Sequence, residues 1–491
     1  MQTFLTKTSL KKVLLLEYLL EKNNWCTMSE LKKILRVTDK TILSYIEELT
    51  HLFQQYNSKI ILKNDNNKQF RVQKEEDFPI YNIYLYFYRS SYNYNLINFM
   101  YNYPEKTIKD YAEEQFTSVS TVFRYAKLLR PYFERYRLDF QSFKLDLNAD
   151  EISVRSFYYY FYWHSTRESN GYWPFKTELS KIESAADSFE EVYQISFDPF
   201  QKRVFSYWLT INLERSQVKK ICIDRKYKKV ADMDQYFGLL RDWAEKAGFI
   251  FEEDELYFLY RVIYAFGVID GNKKYENSHA LSHKKNSTCS YRAIQNMAKT
   301  LKSTFGFELD IADPELVFNF AAFHERSLLF YGNTDLFFNR SYVTEIKEED
   351  PEAYQVMEDL RKKLNKTADK ELSKVLENWE QLFLDYYYVL DYYHLFLKRF
   401  DPLKILVKDD LHHTHRLWLM NKIHSYFGHS YVFAFYDYKT KVSNVDLVIS
   451  NYYLDTGETP LVLMKNIPTE RNWRQLEEKL YELTKQKTRL H

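Results

Sequence analysis

Residues 27–53, TMSELKKILRVTDKTILSYIEELTHLF, align without a gap on residues 107–133, TIKDYAEEQFTSVSTVFRYAKLLRPYF, at an offset of 80. Thr27, Thr41, Tyr45, Leu49 and Phe53 recur as Thr107, Thr121, Tyr125, Leu129 and Phe133, while Glu30 becomes Asp110 and Thr38 becomes Ser118. Thr27 with Glu30 spells a capping box, in which a hydroxyl accepts from an orphan amide and a carboxylate reaches back; Thr107 with Asp110 is its shorter version. A short helix to Leu35, a turn at residues 36–38 and a second helix capped by Thr38 or Ser118 follow. In that second helix Ile42, Ile46, Leu49 and Phe53 form the buried stripe. Lys40, Thr41, Ser44 and the edge of Tyr45 then face outward.

A short helix, a tight turn and a capped helix with a polar outer face make a helix-turn-helix, whose second helix enters the major groove by its N-terminal half. Each copy is followed by a hairpin-like run, KIILKNDNNKQFRV after the first and YRLDFQSFKLDL after the second, so both read as winged helices. The copies differ in charge. Arg124, Lys127, Arg130, Arg135 and Arg137 surround the second recognition helix against Glu134 alone, whereas the first has Lys40 followed by Glu47 and Glu48. The expected DNA-facing residues are Lys40, Thr41, Ser44, Tyr45, Thr121, Arg124, Tyr125, Lys127 and Arg130, with Arg124 contributing most.

Composition bounds the rest. The 491 residues exceed what one core usually organises. Only 9 Gly and 10 Pro are present, so helix should dominate over turn-rich sheet. The whole chain carries +1, yet residues 1–75 hold 13 Lys and Arg against 8 Asp and Glu, a local excess a DNA partner would attract. Cys26, Cys222 and Cys289 are too far apart for a disulfide framework or a cysteine zinc site and fit a reducing cytoplasm. No apolar run reaches the ~18 residues of a membrane span, and no cleavable leader is expected. Phosphate-cradling loops, HExxH and a nucleophile elbow are absent, so an enzyme, a cofactor and a metal are not expected.

Farther on, DPFQKRVFSYWLTINLERS starts at Asp198 and DPELVFNFAAFHERS at Asp313, a looser repeat suggesting two helical bundles joined by the polar stretch ENSHALSHKKNSTCS of residues 276–290. After Arg399, the runs PLKILVK, YVFAFYD, VDLVISN and PLVLMK alternate with helical stretches, giving a small α/β domain. The expected domains are 1–75, 76–150, 151–280, 281–399 and 400–491. His412, His413 and His415 are read as a solvated helix start rather than a metal site.

This order, together with VSTVFRYAKLL, LTINLERS and FNFAAFHERS, resembles the Mga and AtxA family of global virulence regulators of Gram-positive bacteria. The resemblance implies a mainly α, multidomain chain. It would comprise two winged helix-turn-helix domains, two bundles like phosphotransferase-system (PTS) regulation domains, and an α/β domain like the B component of a phosphotransferase enzyme II. It further implies a dimeric activator of transcription, tuned by histidine phosphorylation from a PTS phosphocarrier protein. His324, beside Arg326, and His394 are the histidines that fit, while the first bundle has Asn212, Leu213 and Glu214 at the corresponding place. No cysteine follows Cys289, so the last domain cannot carry phosphate on a thiolate; oligomerisation, with YVFAFYD or VDLVISN supplying a sheet edge or a packed face, suits it better. The rival readings are an RNA-binding antiterminator under PTS control and a scaffold using winged helices to bind protein.

Overall fold

The computed structural model describes all residues except 1–3, 23, 66–67, 168–170, 333–341, 394, 397–401, 412, 429 and 489–491. It is mostly helical. The first winged helix comprises α1 (Lys7–Lys22), β1 (Cys26–Thr27), α2 (Met28–Leu35), α3 (Asp39–Phe53), β2 (Ile60–Asn64) and β3 (Gln69–Lys74). Its antiparallel sheet runs β1-β3-β2, with Cys26 opposite Phe70 and Ile60 opposite Lys74. Leu16, Leu31, Leu35, Ile42, Ile46, Leu49 and Ile60 close a core beneath it.

The second repeats the plan with α4 (Tyr81–Arg89), α5 (Tyr92–Asn102), α6 (Ile108–Glu114), α7 (Val119–Glu134), β4 (Asp139–Gln141) and β5 (Asp146–Asn148). Both turns rest on a left-handed residue, Arg36 at φ 51° and Phe116 at φ 49°, again 80 positions apart. Such a residue stops the first helix and redirects the chain into the second.

Helix α8 (Glu151–Thr166) explains the run RSFYYYFYWH, since every residue of it except Ile152 is buried. A helix that is apolar all round belongs inside a protein. Tyr158 meets Tyr101 of α5 at 4.8 Å, and Tyr159 stacks on Trp208 at 4.2 Å. Among the described residues no helix is long and apolar enough to cross a membrane.

Further helices follow: α9 (Leu179–Tyr193), α10 (Pro199–Ser216), α11 (Arg225–Met233), α12 (Phe237–Lys246), α13 (Glu253–Ala265), α14 (Lys273–Lys285), α15 (Cys289–Phe305), α16 (Pro314–Leu329), α17 (Tyr342–Glu349), α18 (Pro351–Thr367), α19 (Leu372–Leu376) and α20 (Trp379–Tyr392). The two Asp-Pro pairs have one job: Asp198 and Asp313 cap α10 and α16 through their carboxylates, with proline in the first turn. The polar stretch of residues 276–290 is not a linker. Most of it is α14, packed along α16 with His279 and His283 buried. Its polar side chains find partners inside, which its composition does not announce.

The chain segregates into two compact units: Met1–Lys299 with Leu309–Glu349 and Arg361–Phe383, and Thr300–Glu308 with Asp350–Leu360 and Leu384–His491. The second contains β6 (Leu403–Lys408), α21 (His413–Phe427), β7 (Phe433–Tyr436), β8 (Leu447–Ser450), β9 (Leu461–Leu463) and α22 (Glu470–Thr488). The strands are parallel in the order β7-β6-β8-β9. Leu403, Ile405, Val407, Leu447 and Ile449 pack on Leu419, Ile423, Leu476 and Leu480, while Leu406 and Val448 fill the other face. VDLVISN therefore cannot supply an edge: β8 is paired on both sides and buried throughout, as continuous apolar strands of parallel sheets are. Edge strand β7 holds YVFAFYD.

Candidate nucleic-acid interface and buried histidine cluster

Both recognition helices start at the caps their sequence spells. The Thr38 and Ser118 hydroxyls accept from the amides of Thr41 and Thr121 at 3.3 and 3.1 Å. Each also bonds the hydroxyl of the threonine three residues on, at 2.9 Å, so Thr41 and Thr121 are half-buried parts of the cap. Replacing Ser118 by Ala is expected to cost about 1 kcal/mol, measured by chemical unfolding of the full chain.

The exposed positions include Lys40 and Ser44 on α3 and Arg124, Lys127 and Arg130 on α7. Tyr45 is not among them. It is 7% exposed, lies in the same buried row as Ile42 and Leu49, and carries the Lys12 ammonium 5.7 Å above its ring. Three-residue spacing from Ile42 and four-residue spacing to Leu49 put it inside. Its counterpart Tyr125 is half-buried, stacked on Tyr92 at 4.4 Å, with the Arg124 guanidinium 5.4 Å from its ring centre.

Charge inequality between the copies is softened in the first. Glu48 is ion-paired with Lys12 from α1, and Asp39 with Lys32 at 2.8 Å. In the second copy Arg137 pairs with Glu377 and stacks 3.9 Å from the Tyr331 ring, so it is committed to packing, while Arg124, Lys127 and Arg130 remain on the open face. The helical pattern did not single out Leu43 and Phe123, two apolar side chains at equivalent places on the outer faces, 43% and 44% exposed. Phe116, in the turn itself, is 98% exposed.

His324 is fully buried on α16, its Nδ1 donating to the Ser290 carbonyl at 2.9 Å. Burial pushes its pKa down to about 4, so the ring is neutral. Arg326 donates to the Ala265 carbonyl at 2.7 Å. His394 and His412 lie outside the described residues.

The polar cluster absent from the expected site residues surrounds the next residue, Glu325. Arg261 of α13 donates to Glu325 Oε1, to which His283 Nε2 also approaches at 2.9 Å. His283 Nε2 lies 3.1 Å from His279 Nε2, and His279 Nδ1 lies 2.9 Å from the Tyr260 hydroxyl. Tyr260 in turn donates to Asp234 at 2.8 Å, as do Tyr264 at 3.0 Å and Ser278 at 2.7 Å. Burial drives both histidines well below their ordinary pKa. The available signal was the four-residue spacing in SHALSHKK, one helical turn on one face.

In the C-terminal domain His415 donates from Nδ1 to Asp409 and from Nε2 to the Asn466 carbonyl at 2.7 Å. Two acceptors require an imidazolium, and the Asp409 hydrogen bond raises the pKa accordingly. A raised folded-state pKa stabilises fully below the unfolded value near 6.5 and loses that contribution as pH rises through the folded value. Thermal scans of wild type and His415→Gln should therefore diverge most at acidic pH and converge in alkaline buffer.

Residues 6–65 match the M protein trans-acting positive regulator (MGA) HTH domain, and residues 76–162 the Mga helix-turn-helix domain. The chain is 23% identical over 493 aligned residues to the capsule synthesis positive regulator AcpB of Bacillus anthracis, covering 94% of this chain and 96% of that protein. A putative trans-acting regulator of Streptococcus pneumoniae serotype 4 is 22% identical over 219 residues, 44% of this chain and 43% of the other.

Proposed function

We propose that the chain, whose N-terminal region matches the Mga helix-turn-helix models, is a regulator of the Mga/AtxA type that activates transcription by binding duplex DNA mainly through its second winged helix. The observation that carries this is the open basic face of α7, with Arg124, Lys127 and Arg130 exposed above the buried row Val122, Ala126, Leu129 and Phe133. Lys40 and Ser44 on α3 add geometry and a smaller share of affinity. Neither copy spells a clear Arg or Asn arrangement for bidentate contact with base edges, so specificity is modest and affinity strongly salt-dependent. A gel shift over a salt series, comparing duplex DNA with an RNA hairpin, tests this; preference for RNA would overturn it.

The finer reading has five domains, at 1–75, 76–150, 151–280, 281–399 and 400–491, where the third boundary falls inside α14 and marks no linker, with a homodimer formed through the C-terminal α/β domain at the open edge of β7. His324 is the regulatory phosphoryl acceptor, with His394 second and a PTS phosphocarrier protein as donor. Because Nδ1 of His324 donates to a carbonyl, Nε2 carries the lone pair that would attack phosphorus. A phosphate would add about −1.5 to −2 charges at a buried place, so modification and repacking of α16 must go together. Phosphohistidine mass spectrometry of wild type and His324→Gln should find the modified peptide only in wild type.

A further inference from the structure

We propose that His279, His283 and Glu325 form a binding site for a borderline divalent cation of the Zn²⁺ class, clamping α14 to α16. Three potential ligand atoms, one from each residue, lie within 4.8 Å of one another, all on buried side chains. The Nε2–Nε2 and Nε2–Oε1 separations, 3.1 and 2.9 Å, are close to the ~3.3 Å edge of a tetrahedron built from Zn–N bonds of about 2.0–2.1 Å. Two imidazoles and one carboxylate form a known zinc donor set, and imidazole suits this class of cation.

The hydrogen bonds around the cluster orient it for a cation. Asp234 is an acceptor, so the Tyr260 hydroxyl proton points to it and the Tyr260 oxygen accepts from His279 Nδ1–H. The neutral ring is thereby left with its Nε2 lone pair aimed into the cluster. His283 Nδ1 is held by the Thr288 hydroxyl at 2.8 Å, which likewise turns Nε2 inward. Two acceptors, His279 Nε2 and Glu325 Oε1, therefore converge on a single proton, that of His283 Nε2; a divalent cation can take its place when His283 adopts the other neutral tautomer, its proton now on Nδ1 and donated to the Thr288 hydroxyl. Glu325 Oε2 is buried and makes no hydrogen bond among the described residues. Arg261 donates to Oε1, the oxygen that also faces His283, and so fixes the carboxylate within the cluster, while Asp234 lies behind His279 beyond the Tyr260 hydroxyl. A cavity of about 160 Å³, lined by Arg261, His283, Thr288, Ser290 and Glu325 among others, borders two of the three ligands and would admit water or an exchangeable ligand beside them. Since His324 and Glu325 are adjacent on α16, occupancy would stiffen that helix whether or not His324 is modified.

The test uses the full chain, stripped with chelator and titrated with Zn²⁺ and with Co²⁺ as spectroscopic probe. One Zn²⁺ per chain and the intense visible absorption of four-coordinate Co²⁺ are expected. His279→Gln/His283→Gln should lose binding by at least a hundredfold against a chromophoric chelator. Tyr260→Phe, which keeps all three ligands but removes the acceptor for His279 Nδ1–H, should lose roughly ten- to a hundredfold. Absence of a stoichiometric Zn²⁺ or of the Co²⁺ band in wild type overturns the proposal without any variant. So does metal binding that survives both sets of substitutions, which would place the ion elsewhere.

Discussion

Reversing Arg124 and Lys127 together to glutamate should weaken binding to duplex DNA by roughly thirtyfold or more at physiological salt and flatten the salt dependence by about two units of slope. The estimate follows from counterion release: two lost phosphate contacts at about 0.9 ion each are worth roughly thirtyfold between 1 M and 0.15 M salt. Repulsion by the new carboxylates adds to it. Both side chains are exposed, and Arg124 makes a single ring contact, with Tyr125, so folding should be spared and the melting temperature nearly unchanged. Lys40→Glu, beside Glu47 and an already paired Glu48, should have the smaller effect. Unchanged affinity and slope in the double variant would remove α7 from the interface.

Arg155→Met is expected to destabilise the larger compact unit by about 3–5 kcal/mol, the usual cost of leaving a buried charge without its partner. Arg155 is fully buried on α8. It donates to both oxygens of Glu255 on α13, to Asn212 on α10, to the Lys219 carbonyl and to Glu151 at 3.3 Å. Glu151 retains Arg215, at 2.8 and 2.9 Å, but Glu255 would keep no cation. Thermal unfolding should fall by on the order of 10 °C. Adding Glu255→Leu should recover much of the loss, because removing both charges lifts the desolvation penalty that breaking one leaves behind. If the double variant is as unstable as the single one, the arginine acts by packing alone.

The winged helices were legible because their signals are local. Thr27 with Glu30, and Thr107 with Asp110, form the capping boxes expected of them. Tyr45 was misplaced by one step around α3, since an aromatic with a hydroxyl fits a surface reading until its spacing to Ile42 and Leu49 is weighed. The helix of His279 and His283 was read as a linker because a buried polar helix and a solvated loop share a composition. Strand β8 could not be told from an edge, because a run such as VDLVISN does not reveal how many neighbours it has.

Helix starts, turns, the 80-residue repeat and the α/β character of the last domain depend on interactions within about four residues or on the period of apolar side chains, and the amino-acid order alone determines them. Partners distant in the chain are a different matter. Arg261 meets Glu325 across 64 residues and Arg155 meets Glu255 across 100, and only the folded packing decides which buried charge faces which. Burial makes those choices consequential: inside the protein an unpaired charge costs several kcal/mol, whereas on the surface water would serve either partner equally well.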